Sequence, residues 1–304
     1  MRSFSEVTCG EVEHFESSYV TISALTHPGL VRDNNEDQYA VIRRSRHSEV
    51  LLKSFSLGES EVEDEKIEAY WLLVADGLGG QVSGEIASAT AIRAVMQYAS
   101  ELSSWVMRPL GEIRAELEAR LQCYGDAISR AMRERVQENP DLSGMATTLT
   151  SVYLFGNQAA ILNVGDSRSY LFRDRELQQL TEDHTLSQQL QRQGLPEKVA
   201  DAYRNVVTRC FDTTDRETSF DLFLLTLEQG DQLLLCSDGL TDMVQDSEIR
   251  QIFSMGRDVR EDCCSLVNAA LRNGGKDNVT AVLARLGDLG DCPDFDTTES
   301  HPET

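Results

Sequence analysis

Five short motifs, spread over most of the chain, carry residue types that could do chemistry together. They are Arg32-Asp33-Asn34-Asn35-Glu36-Asp37, Ala75-Asp76-Gly77-Leu78-Gly79-Gly80, Gly165-Asp166-Ser167-Arg168, Cys236-Ser237-Asp238-Gly239-Leu240 and Lys276-Asp277-Asn278-Val279-Thr280. Each falls at a turn or beside an apolar run of strand length, so each Asp would stand at a sheet edge, half in the core and half in water. Carboxylates that converge there repel and raise one another's pKa. A hard divalent cation removes that penalty: Mg²⁺ and Mn²⁺ prefer oxygen ligands and keep several waters. A glycine next to the Asp lets a backbone carbonyl approach the same ion. Taken singly, each motif has a plainer reading. An Asp-Gly pair is most often only a turn. Asp277-Asn278 equally starts a strand, and Asp166-Ser167 equally makes a hairpin with Arg168 as its ion-pair partner.

The elements that must position these residues are short strands and a few long helices. Tyr19–Thr26 alternates weakly, and Tyr39–Arg43 and Trp71–Ala75 are apolar runs that suit buried strands. Thr148–Leu154, Ala159–Val164 and Ser169–Phe172 follow closely, with Gly156-Asn157 as a hairpin turn between the first two. Leu222–Leu227, Leu233–Cys236 and Val279–Leu286 complete the strands. Helical spacing covers Gly84–Ala99, Gly111–Glu138 and Val259–Leu271, the last with Val259, Cys263, Leu266, Val267 and Ala270 on one face. Hairpins plus long helices predict antiparallel sheets covered by helices.

Composition excludes several classes. A formal net charge of −23 argues against a nucleic-acid or anionic-membrane partner, both of which need a basic surface. No apolar run reaches the roughly 18 residues of a membrane helix. Met1 to Ser18 is acidic and lacks the apolar stretch of a signal peptide, so a cytoplasmic protein is expected. Seven cysteines without a CxxC argue against a zinc site or disulfide framework, and Cys236 reads as a small core residue. None of them has the small-residue loop leading to an arginine that cysteine-dependent phosphatases use. No Gly-x-Ser-x-Gly elbow occurs either. One domain is expected over residues 19–286, between a disordered acidic arm (1–18) and a disordered acidic tail (287–304). Residues 44–69, polar and then strongly acidic, read as a solvated insertion between two strands.

In their order, RxxNED, ADGxGG, GDSR, SDGL and DNVT resemble the PPM family, the metal-dependent protein phosphatases of type 2C. Gly144-Met145-Ala146-Thr147-Thr148 and Arg204-Asn205-Val206-Val207-Thr208-Arg209 are similar to further stretches of that family. The resemblance covers about residues 19–286, and its second motif looks like that of bacterial members.

The resemblance implies an α+β fold: a β-sandwich of two antiparallel sheets flanked by helices on both sides, with the metal centre at one end. It implies Mg²⁺ or Mn²⁺ as cofactor, two ions and a third, weaker one. Asp76, Asp238 and Asp277 would bind one ion. Asp37, Asp76 and the Gly77 carbonyl would serve the second, with Glu36 acting largely through water. Asp166, with Asp238, matches the third position, and Asp242 another part of it. Arg32 stands where the family grips the substrate phosphate, a task suited to a planar guanidinium. The implied reaction is hydrolysis of phosphoserine and phosphothreonine on proteins by a metal-bridging water, with Arg32 and Asp76 as the catalytic pair. The alternative is a catalytically silent module of the same fold that binds phosphorylated proteins. Leu78 replaces the histidine that eukaryotic relatives carry as general acid, and His184 lies in the flap region as a further polar candidate. The expected partners are phosphorylated proteins, among them a Ser/Thr protein kinase or its substrates, met by a monomer with a role in signal transduction.

Overall fold

The computed structural model describes residues 11–46, 67–79, 83–101, 114–214 and 218–288. In chain order the strands are β1 (Glu13–Glu16), β2 (Val20–His27), β3 (Gln38–Arg46), β4 (Ile67–Ala75), β5 (Gly77–Leu78), β6 (Ala146–Thr147), β7 (Leu149–Phe155), β8 (Gln158–Val164), β9 (Arg168–Arg173), β10 (Glu176–Gln179), β11 (Asp221–Thr226), β12 (Gln232–Cys236) and β13 (Val279–Leu286). The helices are α1 (Ser83–Glu101), α2 (Arg114–Glu138), α3 (Leu186–Arg192), α4 (Glu197–Ala200), α5 (Asp238–Thr241), α6 (Asp246–Ser254) and α7 (Val259–Arg272). One sheet has the order β1-β2-β13-β12-β9-β10, the other β11-β8-β7-β4-β3, and β5 pairs with β6 alone. Every pairing is antiparallel.

The pleat decides which layer each side chain joins. Tyr70, Leu72 and Val74 of β4 enter the core between the sheets, with Val152 and Leu154, Ile161, Leu233 and Leu235, and Val282. Trp71, Leu73 and Ala75, the alternate residues of the same strand, face the layer of α1 and α2. A strand buried on both faces must be apolar throughout, which is why β4 reads as a continuous run. Alanines 87, 91 and 94 let α1 lie close on that sheet. On the other side, Cys263, Leu266, Val267 and Ala270 of α7 cover Leu234, Cys236, Ala281 and Leu283. The layers are helix, sheet, sheet, helix, as the family resemblance implies. Among the described residues, no helix is long and apolar enough to cross a membrane.

Three boundaries need correction. The arm expected to be disordered over 1–18 contributes strand β1, which pairs with β2 from Glu13↔Ala24 to Glu16↔Thr21. Phe15 anchors it, its ring 5.7 Å from that of Tyr70 and capped by the Arg43 guanidinium at 5.5 Å. Glutamates beside it keep this edge charged, as an exposed edge strand requires. The insertion is also shorter than 44–69, since β3 runs to Arg46 and β4 starts at Ile67, with backbones paired throughout. At the tail, Gly287 and Asp288 still donate to Tyr19 O and Ser18 O at 2.8 and 3.2 Å. Residues 1–10, 47–66 and 289–304, where the rest of these expectations fall, lie outside the described residues, as does Gly111 of the expected second helix.

Sequence patterning located nine of these strands and three helices, and it missed β1, β5, β6, β10 and the helices α3 to α6. The missed pieces are short, and most are polar on one side, so periodicity has little to work on.

Candidate metal centre

Antiparallel pairing explains why the motifs meet. Ala75, the last residue of β4, pairs with Gln38, the first of β3, so Asp76 and Asp37 leave the sheet side by side. The end of β8 lies against the start of β7, which places Asp166 next to Thr148 at the same end of the sandwich. In the other sheet the end of β12 lies between the starts of β9 and β13, with Cys236 opposite Arg168 and Ala281. Asp238 follows the one strand and Asp277 precedes the other.

The acids share one electrostatic field. Burial pushes Asp76 well above the ordinary carboxylate range, and the charges of Asp37, Asp238, Asp166 and Asp277 push it further. Asp238 is raised by burial, then by Asp166, Asp277, Asp242 and Asp37. Burial also lifts Asp166 to about 7, helped by Asp183. Asp37, 1% exposed, is pushed up to about 6 by burial, although hydroxyls bonded to it pull the other way. Glu36 is raised by burial and by Asp277 and Glu85, with Arg32 opposing. Asp242 is raised by burial, against Arg204 and Arg168.

Asp37 and Asp76 are held by hydroxyls from the other quoted motifs. Asp37 Oδ2 accepts from Ser237 Oγ at 2.6 Å and Thr280 Oγ1 at 2.7 Å. Its Oδ1 is buried without a hydrogen-bond partner. Thr147 and Thr148 bracket Asp76: Thr147 Oγ1 donates to Asp76 O at 2.8 Å, and Asp76 N–H donates to Thr148 Oγ1 at 3.0 Å. The Gly-Met-Ala-Thr-Thr stretch thus fixes the backbone of the second motif. Gly77 and Gly84 make a tight contact in which neither tolerates a side chain. A Cβ on Gly77 would lie 2.1 Å from Gly84 O, and one on Gly84 would lie 2.1 Å from Glu36 Oε2 and 2.9 Å from Gly77 O. The Glu36 carboxylate and the Gly77 carbonyl are therefore brought close together, as the family resemblance implies. Gly80 lies outside the described residues.

Arg168 and His184 come out differently. Arg168 pairs with Asp183, its Nη2 2.7 Å from Oδ2, and not with Asp166. A positive charge needs an acid with a free carboxylate face, and Asp166 points into the acidic cluster. Arg32 is exposed and donates from Nη2 to Asp277 Oδ2 at 2.7 Å. His184 is buried: Gly165 N–H donates to its Nδ1 at 3.0 Å, and Nε2 stands 3.0 Å from Asp221 Oδ2. Burial lowers its pKa, against the pull of Asp221. It is a satisfied core histidine that anchors the Asp166 turn, and Arg209, 2.7 Å from Asp221 Oδ1, completes that anchor. Leu78 takes part in the β5–β6 pair opposite Ala146. Cys236 is buried, its thiol pushed up to about 12, which removes it from chemistry.

The donor set fits hard divalent cations. It is all oxygen and strongly anionic; it includes a buried oxygen with no hydrogen-bond donor, Asp37 Oδ1, and the Asp37 and Asp76 carboxylates stand together. Two carboxylates satisfy each other only by sharing a proton or a cation. Among the described residues, no three His, Cys, Asp or Glu side chains stand at the spacing of a finished cation cage.

A helix-flanked antiparallel sandwich with this acidic end belongs to a known class: the chain is a member of the protein phosphatase 2C family, whose profile matches residues 62–284. It is 34% identical to the serine/threonine protein phosphatase PstP of Mycobacterium tuberculosis over 92% of this chain and 46% of that one. The chain thus spans about half the length of that relative. It is 30% identical to the serine/threonine phosphatase stp of Listeria monocytogenes over 85% of this chain and 92% of that one. The solved catalytic domain of PstP, in complex with two manganese ions, superposes with a TM-score of 0.66 at 33% identity, covering 89% of this chain and 99% of that one.

Proposed function

We propose that this chain is a metal-dependent phosphatase that hydrolyses phosphoserine and phosphothreonine on proteins. The observation that carries the reading is the buried, uncompensated acidic cluster at one end of the sandwich, with Asp37 Oδ1 left without a partner. The names of the relatives and the two manganese ions of the PstP domain support it.

Asp76, Asp238 and Asp277 would hold one Mg²⁺ or Mn²⁺. Asp37, Asp76, the Gly77 carbonyl and Glu36 would hold a second, and Asp166 with Asp238 and Asp242 a weaker third. Ions bound there supply positive charge on the phosphoryl oxygens and make a water acidic enough to attack phosphorus. The chain's own residues do the rest. Ser237 and Thr280 fix the rotamer of Asp37, so one oxygen is committed to hydroxyls and the other is free. Arg32, now on Asp277, offers parallel donors to a phosphate that arrives at the mouth. Exchanging one anionic partner for another costs that side chain little, because it is already exposed. Leu78 cannot donate a proton and His184 is occupied. The proton for the leaving oxygen therefore comes from neither of these two side chains.

We infer further that residues 19–286, together with β1, work as one phosphatase unit. Its substrates would be phosphorylated proteins, including a Ser/Thr kinase or its targets, in bacterial cytoplasmic signalling, with the chain acting as a monomer. The names of the bacterial relatives, serine/threonine phosphatases of Mycobacterium and Listeria, support phosphorylated proteins as substrates.

The test is phosphate release from a phosphothreonine peptide with Mn²⁺, with Mg²⁺ and with excess EDTA. Metal-dependent release that vanishes in Asp76→Asn is expected. A folded protein that releases nothing under any metal condition would leave only a phospho-binding module.

A further inference from the structure

Asp76, Asp238 and Asp277 each stand within two residues of a strand end, but Arg32 does not. It sits in the segment between β2 and β3, which also carries Glu36 and Asp37. The tip of this loop is open to water: Leu30 is 47% and Val31 66% exposed, and the Arg32 side chain 57%. Burial therefore does not fix the position of Arg32. Its ion pair with Asp277 holds the side chain, and bonds along the loop from Asn34, Asn35, Glu36 and the loop base hold the backbone that carries it.

Asn278 occupies that base and is 5% exposed. Its Nδ2 donates to Pro28 O at 3.0 Å and to Asn34 O at 2.7 Å, one on each limb of the loop. Its Oδ1 accepts from Glu36 N–H at 2.8 Å. Its own backbone N–H donates to Asp277 Oδ1 at 2.9 Å. Leu30 N–H adds a bond to Gly275 O at 2.7 Å, on the same turn. The chemistry selects this side chain closely. Two carbonyls and one N–H need two donors and one acceptor from a single planar group. Aspartate has no donor at neutral pH, serine has one hydrogen, and glutamine is a methylene too long for the gap. The partners also fix which end of the amide is nitrogen.

We infer that Asn278 is a positioning residue: it clasps the loop of residues 28–36 and so holds Arg32 toward the substrate phosphate and Glu36 toward the cations as one unit. The phosphate half of this rests on the function proposed above; the closure of the loop does not.

Two variants separate the parts. Asn278→Ala removes all three side-chain bonds. Asn278→Asp keeps the shape and the acceptor for Glu36 N–H but turns an oxygen toward the two carbonyls, and it carries the test if the alanine variant fails to fold. In the chelated protein, trypsin should cut after Arg32 about tenfold faster or more in both variants, the loss of at least one hydrogen bond from loop closure, with the other sites unchanged. Binding of Mn²⁺, followed by the electron paramagnetic resonance of the free ion, should weaken by a similar factor in Asn278→Ala. In the loaded enzyme the KM for a phosphothreonine peptide should rise, and adding Arg32→Ala should raise it no further than Arg32→Ala alone, because one residue acts through the other. Unchanged cleavage after Arg32 in both variants would overturn the clasp. So would cleavage opening at many arginines at once, or KM effects that multiply. A wild type that releases no phosphate would sink the proposed function, and the digestion would still decide the clasp.

Discussion

Replacing Asp37 by Asn should make the chelated protein more stable. Burial lifts this carboxyl from 3.8 to about 6, so folding around its charged form is costly. At about 1.4 kcal/mol per pKa unit, the penalty above pH 6 is about 3 kcal/mol. The sign follows from the direction of the shift. A carboxyl raised in the folded state contributes its full stability below its unfolded value, near pH 4, and loses it as pH rises through about 6. Asparagine carries no such cost. Its oxygen can still accept from Ser237 and Thr280, and its amide puts an uncharged group in place of the orphaned Oδ1. For a domain of this size the gain corresponds to about 5–10 °C in melting temperature. The assay is thermal unfolding of both proteins in excess EDTA at pH 7.5 and pH 5. The variant should melt higher at pH 7.5, the gap should shrink at pH 5, and Mn²⁺ should stabilise the wild type more than the variant. If the variant melts at or below the wild type at pH 7.5, or if the gap ignores pH, the uncompensated charge is not the cost described here.

Asp76→Asn should lower kcat by about a thousandfold or more, as expected when a group central to transition-state electrostatics is lost, while circular dichroism stays unchanged. Arg32→Ala should raise the KM for a phosphothreonine peptide by about ten- to a hundredfold, the value of charge-assisted hydrogen bonds, with a smaller change in kcat; an unaltered KM would take Arg32 away from the phosphate. Gly84→Ala tests the contact between α1 and the second motif. Alanine in a helix normally gains about 0.5–1 kcal/mol over glycine, but here its Cβ would lie 2.1 Å from Glu36 Oε2 and 2.9 Å from the Gly77 carbonyl oxygen, so both must shift. The melting temperature in EDTA should fall and the Mn²⁺ concentration for half-maximal activity should rise, and an unchanged Mn²⁺ dependence would contradict this. His184→Ala leaves Gly165 N–H and Asp221 Oδ2 without their partner, at a cost of about 2–4 kcal/mol read by urea unfolding.

Much of this architecture is legible in the chain, for a physical reason. Strands buried on both faces, such as β4, must be apolar along their length, so the run itself announces the strand and the acid after it announces the edge. Pairing then follows from the short hairpin at Gly156-Asn157, where Phe155 faces Gln158. Charged edges are harder to read. Strand β1 is three polar residues around Phe15, and composition alone reads it as disordered. Tertiary packing of one ring against Tyr70 holds it in the sheet instead.

The groups that orient the site are less legible still, because their partners lie far along the chain. Ser237 and Thr280 are ordinary letters inside motifs noticed for their acids, and nothing local says that both hydroxyls reach Asp37, some two hundred positions away. Asn278 reads as a turn residue until Pro28, Asn34 and Glu36 are found around it. The acids and their holders also answer to opposite demands. Acids that bind cations are left poorly satisfied by the protein, which costs stability when the cations are absent. The side chains that hold them make nearly every bond they can, which returns some of that stability and restricts each acid to one orientation. A centre of this kind therefore needs neutral hydroxyls and amides behind its charges. A positively charged residue in place of Ser237 or Thr280 would satisfy Asp37 permanently and leave no oxygen for a cation.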